Sequence, residues 1–296
     1  MDRRERWFNE GAPKLRDALA ALAIESKLPE GDFYMCPCCL VAYPKEALAA
    51  EILTEEHVPP RRLGGSGIVL TCKPCNNSAG HQFDIHALTR HRLHGFISGV
   101  QVGRPLPATM YSDGAPLHGE VTRVGESLFI QGITKQNHPD AVKAYEDALT
   151  TTGGSTRIQL REKFTPHLAD ISWVRSAYLA AFAALGFRYI MQSTLDPIRA
   201  QLATPASESL PKLVVIHPET APGTRQILVV EEPAGLESVL VRMDQYSILI
   251  PDPFGTNSCD DLSANLTRLA GDDGKFRLTC RGKVLDWPKK ATYLLD

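Results

Sequence analysis

The chain has 296 residues, 43% of them hydrophobic and 22% charged, which is the composition of a soluble globular protein with material for one large domain or two ordinary ones. A formal net charge of −2 excludes binding of nucleic acid through overall positive charge. The longest apolar run, 177–187, is too short to span a bilayer, and four of the seven cysteines have metal-ligand spacing, so we predict a cytoplasmic protein without membrane association.

The first hundred residues contain two predicted helices and a cysteine-rich module. A helix is predicted over 12–28, where Leu15, Leu19 and Leu22 share one side. In the module, a second helix is predicted from Asn76 to about His94. A segment rich in Gly and Pro then indicates a domain boundary.

Beyond residue 100 the pattern alternates between strands and helices. A long helical stretch is predicted over 168–202, with interruptions at Gly186 and Pro197. A shorter helix is predicted over 138–150. The predicted strands are 108–111, 117–124, 127–133, 157–163, 213–217, 226–230, 238–242, 247–250 and 276–280.

This pattern predicts an α+β protein in three segments. Residues 1–32 would be an N-terminal helix, 33–100 a zinc module, and 101–296 a mixed α+β accessory region. The accessory region shows no catalytic motif, so we predict that it recognises substrate shape, forms a homo-oligomer or binds a partner protein.

Four cysteines stand in two C-x-x-C pairs, a spacing typical of a structural zinc site. Cys36 and Cys39 form the first pair, and Cys72 and Cys75 form the second, with 32 residues between the pairs. Four thiolates at this spacing can close a tetrahedral Zn²⁺ site that holds two distant segments together. We expect Cys38 to point away, because a C-x-C pair is a poorer chelate for one tetrahedral zinc. The alternative is four reduced thiols without metal.

A Glu56-His57 dipeptide lies between the cysteine pairs, and Asn76 directly follows the last cysteine. Pro59 and Pro60 disfavour a helix there, so the dipeptide is predicted to end a strand. A neutral imidazole can act as a general base near pH 7, and carboxylate and amide oxygens suit Mg²⁺ or Mn²⁺. Zinc would bring these groups together, which indicates a hydrolytic metal centre; alone, a Glu-His pair is usually structural.

Two segments carry a resemblance to a known family, Glu56-His57-Val58-Pro59 and residues 70–80, LTCKPCNNSAG. Together they resemble the motif of HNH endonucleases of the ββα-metal class, over about residues 33–96. They are similar to the zinc-knuckle branch that includes phage endonuclease VII, in which a metal-binding asparagine also follows the last zinc cysteine. The resemblance implies a ββα-metal fold for this module.

The resemblance also implies a role for each matching residue. His57 would be the general base that activates water, and Glu56 and Asn76 would bind a catalytic Mg²⁺ or Mn²⁺. Zn²⁺ would be held by Cys36, Cys39, Cys72 and Cys75. The implied activity is hydrolysis of DNA phosphodiester bonds to 5′-phosphate and 3′-hydroxyl ends. By analogy with stand-alone proteins of this class, a role in genome defence against viruses is expected.

Residues near the motif add candidates for binding. Six Arg or Lys stand between residues 57 and 104 against one acid, Asp84, and Arg61 and Arg62 are the preferred phosphate contacts. His81 is a further candidate for nucleic-acid binding. Asp84 lies two helical turns beyond Asn76 and is a further candidate metal ligand. A solvated basic face is the alternative.

Two alternatives to a DNA endonuclease remain open on the sequence. One is a non-catalytic, zinc-stabilised module that binds nucleic acid or a partner protein. The other is an enzyme of the same type that cleaves RNA, which the composition does not exclude.

Overall fold

The computed structural model describes residues 2–25, 28–99, 104–217, 220–221, 223–271, 274–275 and 277–296. It has the mixed α+β class that the sequence predicts. The chain forms two compact units, one of residues 1–85 together with 167–296 and one of residues 86–166. These two units divide the chain at other residues than the predicted segments 1–32, 33–100 and 101–296 do. The chain leaves the first unit at residue 86 and returns to it at residue 167.

The first unit begins with one long helix and two strand pairs. Its elements up to residue 82 are α1 (Arg3–Ala21), β1 (Phe33–Met35), β2 (Ala42–Pro44), α2 (Glu46–Ala49), β3 (Leu53–Val58), β4 (Ser66–Cys72) and α3 (Lys73–Gln82). Strands β1 and β2 pair antiparallel, as do β3 and β4. Because α3 starts directly after β4, two strands and a helix follow one another from residue 53 to residue 82.

Helix α1 begins and ends earlier than the predicted helix over 12–28. Trp7 and Phe8 are 3% and 1% exposed, and they extend toward the N-terminus the apolar side that Leu15 belongs to. Leu22, by contrast, is 40% exposed, so the buried side ends with the helix. Residues 26 and 27 of the predicted helix lie outside the described residues.

The second unit contains a four-stranded antiparallel sheet. Its elements are α4 (Asp84–Ile97, whose first two residues belong to the first unit), β5 (Leu106–Ser112), β6 (Ala115–Val124), β7 (Ser127–Gly132), α5 (Pro139–Thr151) and β8 (Arg157–Leu160). The strand order is β7-β6-β5-β8, and Met110, Val121 and Tyr145 are buried at the core. All six residues of the edge strand β7 are exposed. A homo-oligomer or partner through residues 101–296 stays a prediction.

The predicted helix over 76–94 is divided into α3 and α4. Phe83 ends α3 and is 2% exposed. It packs with Ala79 and Ile171, so a local break buries an aromatic ring that a continuous helix pattern does not reveal.

The remainder of the first unit contains a core helix and a five-stranded antiparallel sheet. The elements are α6 (Pro166–Leu185, whose first residue belongs to the second unit), α7 (Phe187–Ile190), α8 (Asp196–Ala203), β9 (Val214–Ile216), β10 (Arg225–Glu232), β11 (Ser238–Met243), β12 (Tyr246–Pro251), α9 (Cys259–Leu269) and β13 (Arg281–Leu285). The strand order is β13-β10-β11-β12-β9. The predicted strand over 276–280 is wrong for its described residues, because the last strand begins at residue 281; residue 276 lies outside the described part.

Helix α6 is the centre of the first unit. By length and hydropathy this helix could cross a membrane. However, 89% of its most apolar stretch is buried within the protein, as in a core helix. Trp173 stacks on Tyr246 of β12 with 4.1 Å between ring centroids. The predicted interruption at Gly186 is confirmed: its φ is 100°, and a Cβ there would lie 2.1 Å from the Asp296 carboxylate.

Candidate metal centre and the strand beside it

The four predicted zinc ligands lie together. The Sγ atoms of Cys36, Cys39, Cys72 and Cys75 are all within 4.8 Å of one another, and Cys39 Sγ is 3.8 Å from Cys72 Sγ. Four thiolates at about 2.3 Å from one zinc ion in a tetrahedron are about 3.8 Å apart. The cluster could therefore hold a metal such as zinc. Cys38 is buried and is not a member of the group.

The cysteine cluster joins two turns of the chain. Cys36 and Cys39 lie between β1 and β2, whereas Cys72 ends β4 and Cys75 is in the first turn of α3. The backbone N–H of Cys72 donates to Cys36 Sγ at 3.3 Å. A metal here would fix the start of α3 against the β1–β2 turn.

Strand β3 carries the Glu-His dipeptide and has two different faces. Its partner β4 contains a bulge, because Glu56 pairs with Val69 while His57 pairs with Gly67. Successive side chains of a strand point to opposite sides. We call the side with Thr54 and Glu56 the inner face and the side with Glu55 and His57 the outer face.

On the inner face, Glu56 is buried in an ion pair with helix α6. Both nitrogen atoms of the Arg175 guanidinium fork donate to its carboxylate, at 3.1 and 2.5 Å, and the Thr71 hydroxyl donates to Oε2 at 2.9 Å. The side chains of Glu56 and Arg175 are only 5% and 3% exposed. The structure thus places Glu56 in a closed ion pair and not as an open metal ligand beside His57.

Asp84 also lies near this ion pair. The Ser172 hydroxyl donates to Asp84 Oδ1 at 2.7 Å. Burial raises the pKa of Asp84, and the attraction of Arg175 and the Ser172 hydrogen bond offset this only in part. Burial works to lower the pKa of Arg175, but Glu56 and Cys38 more than compensate, so its pKa is raised. Arg175 is thus the cation that attracts both predicted acidic metal ligands, Glu56 and Asp84.

On the outer face, His57 is accessible and lies beside the other glutamate. The side chains of His57 and Glu55 are 35% and 25% exposed, and His57 Nε2 is 4.0 Å from Glu55 Oε1. Arg3 of α1 approaches the same carboxylate oxygen at 3.3 Å. The outer face therefore presents an imidazole, a carboxylate and a guanidinium.

Asn76 is bound to the strand just before the dipeptide. Its Nδ2 donates to Thr54 Oγ1 and to the carbonyl of Glu55, both at 3.1 Å. Since both bonds use the amide nitrogen, Oδ1 is the atom through which Asn76 could bind a cation. The structure thus bonds Asn76 to β3 through Thr54 and Glu55, and not through the Glu56-His57 dipeptide.

The predicted nucleic-acid contacts lie at the surface. Arg61 and Arg62 are exposed in a 3-10 turn directly after β3, and His81 is exposed near the end of α3. Gly65 allows this turn to close, because a Cβ there would lie 1.4 Å from the Pro59 carbonyl oxygen.

Sequence reasoning missed three residues of this region, Arg175, Arg3 and Glu55. A signal existed for Arg175, which is the only Arg or Lys of the mostly apolar helix α6 and lies where a charge needs a buried partner. Arg3 gave no signal, since it is one of several charges near the start of the sequence. Glu55 was hidden by Glu56, the motif position.

Comparison with models of known protein families, with curated proteins and with solved structures found no match to this chain.

Proposed function

We propose that this protein is a metal-dependent endonuclease of the HNH type that hydrolyses DNA phosphodiester bonds. The observation that supports it best is the position of His57, which lies one residue before the end of strand β3 and is 35% exposed, while the helix after the cysteine cluster bonds to the same strand through Asn76. A strand that carries a general base, joined to a helix that carries a metal-binding amide, is the arrangement that the resemblance implies.

In this proposal His57 takes a proton from water, and the resulting hydroxide attacks the scissile phosphorus. Mg²⁺ or Mn²⁺ would stabilise the negative charge that develops on the phosphate and the leaving oxygen. Asn76 Oδ1 would be a protein ligand of this cation, because both hydrogen bonds of the Asn76 side chain use its amide nitrogen. Arg61 and Arg62 would contact phosphates of the DNA backbone near the scissile bond.

Glu56 has a different part in this proposal from the one that the motif implies. To bind a cation it would have to release Arg175, and separating a buried ion pair leaves an uncompensated charge that costs about 3–5 kcal/mol. We therefore assign Glu56 to fastening β3 onto α6, which holds the strand that carries His57. Zn²⁺ at the four cysteines would hold the end of β4 and the start of α3 against the β1–β2 turn.

The test is cleavage of supercoiled plasmid, branched DNA, single-stranded DNA and RNA of matched sequence, with Mg²⁺ and Mn²⁺ each varied. We expect the wild-type protein to nick DNA and EDTA to abolish this activity. We expect the His57→Ala variant to remain folded but not to nick DNA. Cleavage by the alanine variant at the wild-type rate would exclude His57 as the base. Preferential cleavage of RNA would move the substrate class but retain the chemistry.

The buried Glu56–Arg175 pair favours a second candidate, a non-catalytic zinc-stabilised module that binds nucleic acid. In that case the acid that the motif requires for catalysis has become purely structural. Salt-sensitive DNA binding without cleavage under any divalent cation would support this candidate over the first.

A further inference from the structure

We infer that Glu55 is a positioning residue for His57, holding the imidazole and stabilising the imidazolium that forms when His57 takes a proton. The inference rests on the proposed hydrolase function. It assigns a role to a residue outside the Glu56-His57 motif.

The first support is the placement of the two side chains. Glu55 and His57 are two positions apart in β3, so they share the outer face. Glu55 Oε1 lies 4.0 Å from His57 Nε2, within the range of an ion pair once the ring is protonated. Catalytic hydrogen bonds are often long in the free enzyme and shorten when substrate binds.

The second support is the space that β4 provides for this carboxylate. Gly67 pairs directly with His57 across the two strands. A Cβ on Gly67 would lie 1.7 Å from Glu55 Oε1 and 2.5 Å from Glu55 Cγ. The Glu55 side chain thus occupies the volume that a Cβ at position 67 would fill, so glycine at this position leaves room for the carboxylate beside His57.

The third support is Arg3, which is itself fixed. One guanidinium nitrogen lies 3.3 Å from Glu55 Oε1, and the other donates to the Gly67 carbonyl at 2.6 Å. The guanidinium also lies 4.7 Å from the centre of the Trp7 ring, which is buried. Helix α1 therefore holds Glu55 from one side while Gly67 gives it room on the other.

His57, Glu55 and solvent can supply every proton transfer that phosphodiester hydrolysis needs. With Nε2–H directed to Glu55, Nδ1 accepts the proton of water as the water oxygen bonds to phosphorus. The bond from phosphorus to the 3′ oxygen breaks, and that oxygen takes a proton from solvent. Glu55 stays ionised throughout and stabilises the positive ring, as carboxylates paired with catalytic imidazoles do in other hydrolases.

The test compares Glu55→Gln and Gly67→Ala with wild type in plasmid nicking, with kcat, KM and thermal unfolding measured for each. Glu55→Gln keeps the shape of the side chain but removes its charge. Gly67→Ala keeps every charge but displaces the carboxylate. We expect kcat to fall about tenfold or more in both, with KM for DNA within about twofold, and Glu55→Asp to recover part of kcat. Glu46→Gln, an exposed residue of α2, is the matched control.

Each other outcome has a definite meaning. If wild type cuts DNA and both variants retain its kcat, Glu55 serves only to attach α1, and the inference fails while the proposed function stands. A rise in KM alone would make Glu55 part of the DNA-binding surface and would also overturn the inference. If wild type cuts none of the substrates, the proposed function and this inference fail together.

Discussion

The two faces of strand β3 carry adjacent glutamates in opposite environments. Glu56 on the inner face is 5% exposed and bound by Arg175, whereas Glu55 on the outer face is 25% exposed and lies beside His57 and Arg3. In the sequence they are identical neighbours. The pleat of the strand alone assigns one to the interior and the other to the surface.

Because of this difference, substitutions on the two faces should affect different properties of the protein. Truncating one member of a buried ion pair leaves an unpaired charge and costs several kcal/mol, while an exposed pair contributes about 1 kcal/mol or less. We therefore expect changes on the inner face to alter unfolding and changes on the outer face to alter cleavage.

The largest expected effect comes from the cysteine cluster, which brings together the β1–β2 turn, the end of β4 and the start of α3. Cys72→Ser should remove bound zinc and up to about 10 kcal/mol of metal-linked folding energy, so we expect an unfolded or aggregated protein. Elemental analysis and circular dichroism measure this, with Cys280→Ser, a half-buried thiol outside the cluster, as control. A folded Cys72→Ser protein that unfolds at the wild-type temperature would contradict a structural metal.

The second-largest effect is expected from removing the ion pair on the inner face. Arg175→Met should lower the free energy of unfolding by about 3–5 kcal/mol, because Glu56 is left buried without a partner. The double variant Glu56→Gln with Arg175→Met should recover part of this loss. Urea denaturation measures both, and Glu55→Gln is the matched control from the outer face, with an expected loss of about 1 kcal/mol or less. Equal losses from Glu55→Gln and Arg175→Met would end the distinction between the faces.

A change on the outer face should affect rate without affecting stability. His57→Ala should lower kcat for DNA cleavage about a hundredfold or more, as expected for loss of a general base. Its side chain is 35% exposed, so its urea midpoint should stay at that of wild type. His138→Ala, an exposed histidine of the second unit, controls for loss of an imidazole. A large fall in unfolding free energy for His57→Ala would instead indicate a structural residue.

The smallest expected effect concerns Asp84, near the inner face. Because its pKa is raised on folding, the folded state favours the protonated acid. Stability is therefore lost as pH rises from the ordinary range of an aspartic acid through the folded pKa, and the full cost is reached above the folded pKa. Asp84→Asn should raise the melting temperature at pH 7, and the gain should vanish near about pH 3. A variant less stable than wild type at pH 7 would show that the attraction of Arg175 outweighs burial.

Local patterns predicted most elements and the cysteine cluster. The strands from 108 to 133 and from 213 to 250 stand out as short, largely apolar segments, and the first three are separated by the turn signals Asp113-Gly114 and Gly125-Glu126. Two C-x-x-C pairs suffice to indicate a metal site because ligand spacing is a local property. The break at Phe83 and the early start of α1 were not predictable, since both depend on which aromatic rings find a buried partner.

By itself, the sequence determined the mixed α+β class, the four cysteines that meet and the presence of a histidine at the end of a strand. Only the tertiary structure decided that Glu56 faces Arg175, 119 positions further along the chain, and that Arg3 and Gly67 surround Glu55. The physical reason is that a charged side chain takes its role from its burial and its nearest opposite charge. Both of these are set by segments that lie far apart in sequence.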